Sequence, residues 1–143
     1  MRESKSRSFE ELLQFYYEIT PEVPTALAGR YMSHTMAQVC IAHDALRAAG
    51  FQRGRTLLDV GCSTGGLLVA SHEFYDTQVG LDVALRWLVV ARVRLTEFGL
   101  KPLLVCGNAE ALPFPDRIFN AITLIDVLEH VRDAGATLRE THR

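Results

Sequence analysis

DVGCSTGG, residues 59–66, closes the apolar run TLLDVG (56–61) and opens toward a second apolar stretch, LLVASHEF (67–74). A glycine-rich turn between a strand and a helix is where an open parallel sheet cradles a ligand. Its glycines take backbone angles that other residues avoid and let a ligand approach the main chain. The same stretch contains Gly61-x-Ser63-x-Gly65, the spacing of a hydrolase nucleophile elbow with Ser63 as nucleophile. The two readings make different demands on the rest of the chain.

An elbow needs an oxyanion-hole segment upstream, then an acid and a histidine at the ends of later strands. No HGGG-like segment precedes it, the only partners on offer are Asp126 with His130 or His142, and just 80 residues (143 − 63) follow Ser63. A cofactor loop needs instead an acid ending the next strand, placed to accept hydrogen bonds from both ribose hydroxyls. TQVGLDV (77–83) reads as that strand, and Asp82 stands 21 residues (82 − 61) after Gly61, against roughly 20 in nucleoside sites. A nicotinamide dinucleotide fits less well, because G-x-x-x-G-G is not G-x-G-x-x-G.

The surrounding rhythm is that of an α/β fold. Ser8 and Glu11 form a capping box ahead of a helix through about Ile19, Pro21 and Pro24 interrupt it, and helical spacing resumes from Ala26 to Ala49. After these N-terminal helices, strand and helix alternate: 56–61, helix 67–74, strand 77–83, helix 84–98 ended by Gly99, strands 102–106 and 119–126, and a last helix from near Leu128. Strands apolar on both faces imply a Rossmann-like parallel sheet covered by helices. On helix 84–98, Arg86, Arg94 and Glu97 make one polar side. Trp87, Phe74 and Phe98 read as core.

The 143 residues suit one fold with its own core, 48% of them hydrophobic and 22% charged, with a net charge of −2. Scattered Lys and Arg give no footprint for nucleic acid. Cys40, Cys62 and Cys106 are odd in number and lack a CxxC pair, so they read as buried free thiols and no metal is expected. No apolar stretch reaches membrane-spanning length and the start is not a signal peptide, which predicts a cytoplasmic protein.

From about Thr56 to Asp133 the chain resembles the class I S-adenosylmethionine-dependent methyltransferases, particularly the small-molecule branch that includes quinone-biosynthesis enzymes. LLDVGCSTGG is similar to that family's first motif, usually D-x-G-x-G-x-G, and VGLDVALRWLVVAR to its second. CGNAEALPFPDRIFNAITLIDVLEHV is similar to its third and fourth. The resemblance implies residues 1–55 as a helical cap and 56–143 as the cofactor-binding core. It implies S-adenosylmethionine as cofactor and a small-molecule methyl acceptor as substrate.

By the same resemblance Asp59, Gly61 and Gly65 hold the methionine end of the cofactor. Ser63, where the family has a glycine, is a spacer with a hydroxyl able to donate to the ligand. Asp82 accepts from the ribose, with helix capping before Ala84 as its alternative. Asn108 and Ala109 lie beside the adenine, where an Asx turn competes as the explanation of Asn108. Asp126 lies near the sulfonium, and His130, four residues on and on the same helical face, is the candidate base. Tyr16, Tyr17 and Tyr31 belong to leading helices that cover the cofactor.

The family's sheet has seven strands in the order 3-2-1-4-5-7-6, and this chain supplies four, in the order 3-2-1-4. The resemblance therefore implies truncation after the fourth strand, whose uncharged AITLI (121–125) forms an edge to be covered by self-association or a partner chain. A non-catalytic or incomplete cofactor-binding module is the alternative function, and a serine hydrolase using Ser63 a more distant one.

Overall fold

The structure is a computed structural model that describes residues 7–19, 37, 40–41, 43–48, 54–101 and 103–143. Its elements are α1 (Phe9–Ile19), β1 (Gly54–Val60), α2 (Gly66–Ala70), β2 (Tyr75–Asp82), α3 (Leu85–Glu97), β3 (Leu103–Cys106), β4 (Ala121–Leu124) and α4 (Ala134–His142). Residues 43–48 are helical, as the reading of 26–49 expects; most of the remainder of that stretch, Tyr31 and the side chains of Tyr16 and Tyr17 lie outside the described residues.

All pairings are parallel, in the order β3-β2-β1-β4. This is the order the family resemblance implies. β1 is central, and its alternate side chains are buried on opposite faces. Leu58 and Val60 join Leu81, Ala109, Leu112 and Val127, whereas Leu57 joins Tyr75 and Ala121. A strand flanked on both sides and covered on both faces has no use for polar side chains, which is why TLLDV reads as a near-continuous apolar run.

The capping box of α1 is formed in both directions: Ser8 N–H donates to Glu11 Oε2 at 2.8 Å and Glu11 N–H to Ser8 Oγ at 3.2 Å. The helix lies on α3, where Leu13 and Val90 are buried with Phe9, Leu12 and Trp87 around them.

Two helices are shorter than expected. α2 stops at Ala70, because the buried Ser71 hydroxyl donates back to Leu67 O at 2.7 Å and accepts from Gln78 Nε2 at 2.7 Å, turning the chain through 71–74. α4 begins at Ala134 and not near Leu128, since Asp133 caps it by accepting from Ala136 N–H at 2.9 Å. Four side chains also depart from expectation. Arg94 is buried, Phe98 is 60% exposed at the end of α3, and Cys40 and Cys106 are exposed, leaving Cys62 as the buried thiol.

Candidate functional site

At the end of β1 the chain turns sharply. Gly61 N–H and Cys62 N–H both donate to Leu81 O, at 2.7 and 3.0 Å, stitching the turn to β2. Gly61, Ser63 and Gly65 all have positive φ, of 72°, 47° and 73°. For Ser63 this left-handed conformation costs about 1–2 kcal/mol, offset by its N–H donating to Asp82 Oδ2 at 2.9 Å.

The sequence predicts that glycines here make room for a ligand. At Gly61 the room is taken from within: a Cβ would run into Val127 Cγ2, in the segment after β4. At Gly65 a Cβ would press on Ala91 of α3 at 3.3 Å. Both glycines therefore serve close packing of the loop as well as its backbone angles.

Asp82 ends β2 and is 8% exposed. Its Oδ2 holds Ser63 and its Oδ1 accepts from Ala84 N–H at 2.8 Å, so the carboxylate brackets the glycine loop and the turn into α3 at once. The capping alternative is thus real in part, although the N-cap position of α3 is Ala84 itself.

Asp59 is buried between β1 and β4, where its register partner Thr123 donates a hydroxyl to Oδ1 at 2.8 Å. Burial pushes its carboxyl up to about 7; the Thr123 hydrogen bond opposes the rise and the negative charge of Asp82 adds to it. Burial, with Asp59 and Asp82 nearby, also drives the Cys62 thiol far above its ordinary range, so it stays protonated and unreactive.

The third strand is tied in by Gly107 N–H, which donates to Asp82 O at 3.1 Å. Asn108 follows and is exposed; its Oδ1 accepts from Glu110 N–H at 3.0 Å in an Asx turn, while Ala109 is buried in the core with Leu81 and Leu112.

Beyond β4, Asp126 and His130 are both exposed, and the expectation that they share a helical face fails. Asp126 has φ 53° and His130 sits in the turn 128–130, its N–H bonded to Val127 O at 2.9 Å, so neither is in a helix. Left-handed backbone at Asp126 ends any helical continuation from β4. The Ser63 hydroxyl has no histidine or carboxylate hydrogen-bonded to it among the described residues, and the hydrolase reading lacks its base.

The structure thus gathers Asp59, Gly61, Ser63, Gly65 and Asp82 into one cluster, with the segments of Asn108 and Asp126 tied to it through Gly107 and Val127. Sequence reasoning missed Thr123, Val127, and the pair Thr64 and Arg94 behind the loop. Thr123 carried a signal, a polar residue inside an apolar strand. The others carried none.

A separate cavity of about 450 Å³, lined in part by Phe114, Ile118, Phe119, Ile122 and Leu124, runs along the outer edge of β4 and does not reach this cluster. Among the described residues no group of His, Cys, Asp and Glu could hold a metal ion, and no helix is long and apolar enough to cross a membrane.

Comparison with known proteins agrees with this geometry. A family model described as "Methyltransferase domain" matches residues 58–143. A demethylmenaquinone methyltransferase of Geobacillus stearothermophilus is 35% identical over 104 residues, 70% of this chain and 44% of that protein, so the chain spans under half the length of that curated relative. Among solved structures, the YcgJ protein of Bacillus subtilis superposes with a TM-score of 0.66 at 25% identity, over 73% of this chain and 44% of that one. The magnesium protoporphyrin IX methyltransferase of Synechocystis, solved with bound SAH, reaches 0.68 at 17% identity, over 89% and 59%, a likeness of fold alone. With the loop, the acid of the second strand and the strand order in place, the chain belongs to the methyltransferase-domain family in its class I, S-adenosylmethionine-dependent form.

Proposed function

We propose that the chain holds S-adenosylmethionine across the C-terminal ends of β1, β2 and β3 and passes its methyl group to a small-molecule acceptor. The observation that carries this reading is the arrangement around Asp82. An ionised carboxylate offers about four acceptor positions; Ser63 and Ala84 engage two, which leaves a pair for the vicinal hydroxyls of a ribose. Val83, 75% exposed immediately after it, offers the apolar surface a nucleoside needs.

In this reading Asp59, Gly61, Ser63 and Gly65 form the methionine end, Asn108 and Ala109 the adenine side, and Asp126 the side of the sulfur. Residues 1–55 serve as a helical cap, with α1 seated on α3, and 56–143 as the core. The cofactor supplies a methyl group on a positively charged sulfur, which departs without acid assistance. The chain's own work is orientation and exclusion of water. A base is needed only for an acceptor that must lose a proton, and exposed His130 beyond β4 is assigned to that task. A quinone-type ring as acceptor is supported by the name of the Geobacillus relative.

A second reading, a cofactor-binding module without turnover of its own, is favoured by the separation of Asp126 and His130, which share no helical face. Among the described residues β4 lies at one edge of the sheet, and we assign that edge to a second copy or a partner chain. The free thiols and the composition support a cytoplasmic location.

Calorimetric titration with S-adenosylmethionine tests the proposal. Wild type should bind, and Asp82→Ala should weaken binding by roughly 100-fold, as expected for lost charge-assisted hydrogen bonds. Absence of binding by wild type rejects both readings. Turnover with quinone-type acceptors, lost in His130→Ala while cofactor binding persists, separates enzyme from module.

A further inference from the structure

We propose that Arg94 is a positioning residue for the glycine loop and that it transmits the docking of α1 to that loop. Arg94 lies on α3, is 8% exposed, and does not point to solvent from the polar side of its helix. Its Nη1 donates to Thr64 Oγ1 at 3.2 Å and lies 3.5 Å from Thr64 O. Thr64, 5% exposed, stands between the two left-handed residues Ser63 and Gly65.

The loop is therefore gripped from both sides at adjacent residues. Asp82 accepts from the Ser63 N–H in front, and Arg94 donates to Thr64 behind. A non-glycine residue with positive φ persists only where its surroundings over-determine it, and this pair of opposite contacts does so.

The far side of the arginine is covered by α1. The Phe9 ring centre lies 4.9 Å from the guanidinium carbon, and Phe9 N–H donates to Glu97 Oε1 at 2.9 Å, one turn along α3 from Arg94. Leu13 and Val90 close the contact. A hydrogen bond roofed in this way is shielded from competing water and strengthened by the low local dielectric. Undocking α1 exposes the guanidinium, weakens its hold on Thr64, and relaxes the segment that bears Ser63.

For ligand binding this inference rests on the loop being the cofactor site; for loop geometry it does not. The test uses the full chain with Arg94→Lys, Arg94→Met, Thr64→Val, Phe9→Ala and the Arg94→Met/Thr64→Val double variant, each shown to be folded by circular dichroism at the working temperature. With S-adenosylhomocysteine as the titrant, Arg94→Met should lose about tenfold in affinity, the worth of one buried hydrogen bond. Arg94→Lys, which keeps a charged donor, should stay within about threefold. Phe9→Ala should fall between them. The double variant should bind no more weakly than Arg94→Met alone, since both changes remove one contact.

A merely structural arginine predicts the opposite order, because methionine preserves its bulk over Phe9; Met binding as well as wild type overturns the proposal. The second measurement needs no ligand. Amide hydrogen exchange at Ser63 and Gly65 should quicken about tenfold in Arg94→Met relative to the amides of β1, as local opening becomes easier. Unchanged protection there overturns the proposal whatever the titration gives. Altered protection with no S-adenosylhomocysteine binding by wild type sinks the cofactor reading and leaves the positioning role standing.

Discussion

Asp59→Asn should make the protein more stable at neutral pH. The Asp59 carboxyl is raised from 3.8 to about 7, with burial as the largest cause. Where a folded-state pKa lies above the unfolded one, the fold favours the protonated form. Stability from this group is then complete below about pH 4, falls as the unfolded carboxylate ionises, and is gone once the folded carboxyl ionises near pH 7. At about 1.4 kcal/mol per pH unit, the interval from 3.8 to about 7 corresponds to about 4 kcal/mol.

Asparagine cannot ionise, and its amide oxygen can still accept from Thr123 Oγ1, the bond the carboxyl makes at 2.8 Å. The variant should therefore match wild type within about 1 kcal/mol at pH 4 and gain progressively to about 3–4 kcal/mol by pH 7.5, beyond which the difference is constant. Urea denaturation at half-unit steps from pH 4 to 8 reads this directly, as a midpoint difference that widens with pH. A difference that is flat across the range means that Asp59 ionises alike in both states, and the account of its burial is then wrong. The same variant should bind S-adenosylmethionine more weakly at pH 8, since it removes a negative charge from the side assigned to the ligand's ammonium group.

Gly61→Ala should cost about 2–3 kcal/mol, from its positive φ together with the collision with Val127. Adding Val127→Ala relieves the collision and should return part of that lost stability, measured by urea denaturation; a double variant whose losses simply add refutes the packing role of Val127. Ser63→Gly should stabilise by about 0.5–1 kcal/mol in urea denaturation, because glycine takes the 47° φ without steric penalty. A destabilised Ser63→Gly would show that the serine hydroxyl contributes more than its backbone strain costs.

The extent to which the fold was legible follows from what each signal depends on. The parallel, helix-covered sheet could be anticipated from the alternation of apolar runs and helical stretches, whereas the order β3-β2-β1-β4 came only from the family resemblance, because no local pattern says which strands pair. Asp82 was legible because it stands 21 residues (82 − 61) after Gly61, near the end of the apolar run 77–83. Arg94 was not: a cation on an amphipathic helix reads as solvated, and only the docking of α1 and the proximity of Thr64 bury it. Asp126 and His130 misled because four-residue spacing suggests a shared helical face, whereas a single left-handed residue after β4 delays the helix to Ala134. Val127 was hidden for a third reason. Its partner Gly61 is 66 residues away (127 − 61), and nothing local to either residue announces the contact.

These hidden contacts bear on how the site works. Three residues of positive φ within five positions, one of them serine, describe a loop that would not hold its shape in isolation. It is held by an acceptor in front, a guanidinium behind and a valine beneath, supplied by β2, α3 and the segment after β4. On the proposed reading, a ligand entering such a loop would find it already shaped and would not bear the entropic cost of ordering it, so more of the contact energy would appear as affinity. Because those holders belong to the sheet and its covering helix, perturbations of α3, or of α1 seated on it, should reach cofactor affinity without touching the ligand. A loop ordered only by its ligand would be indifferent to Arg94.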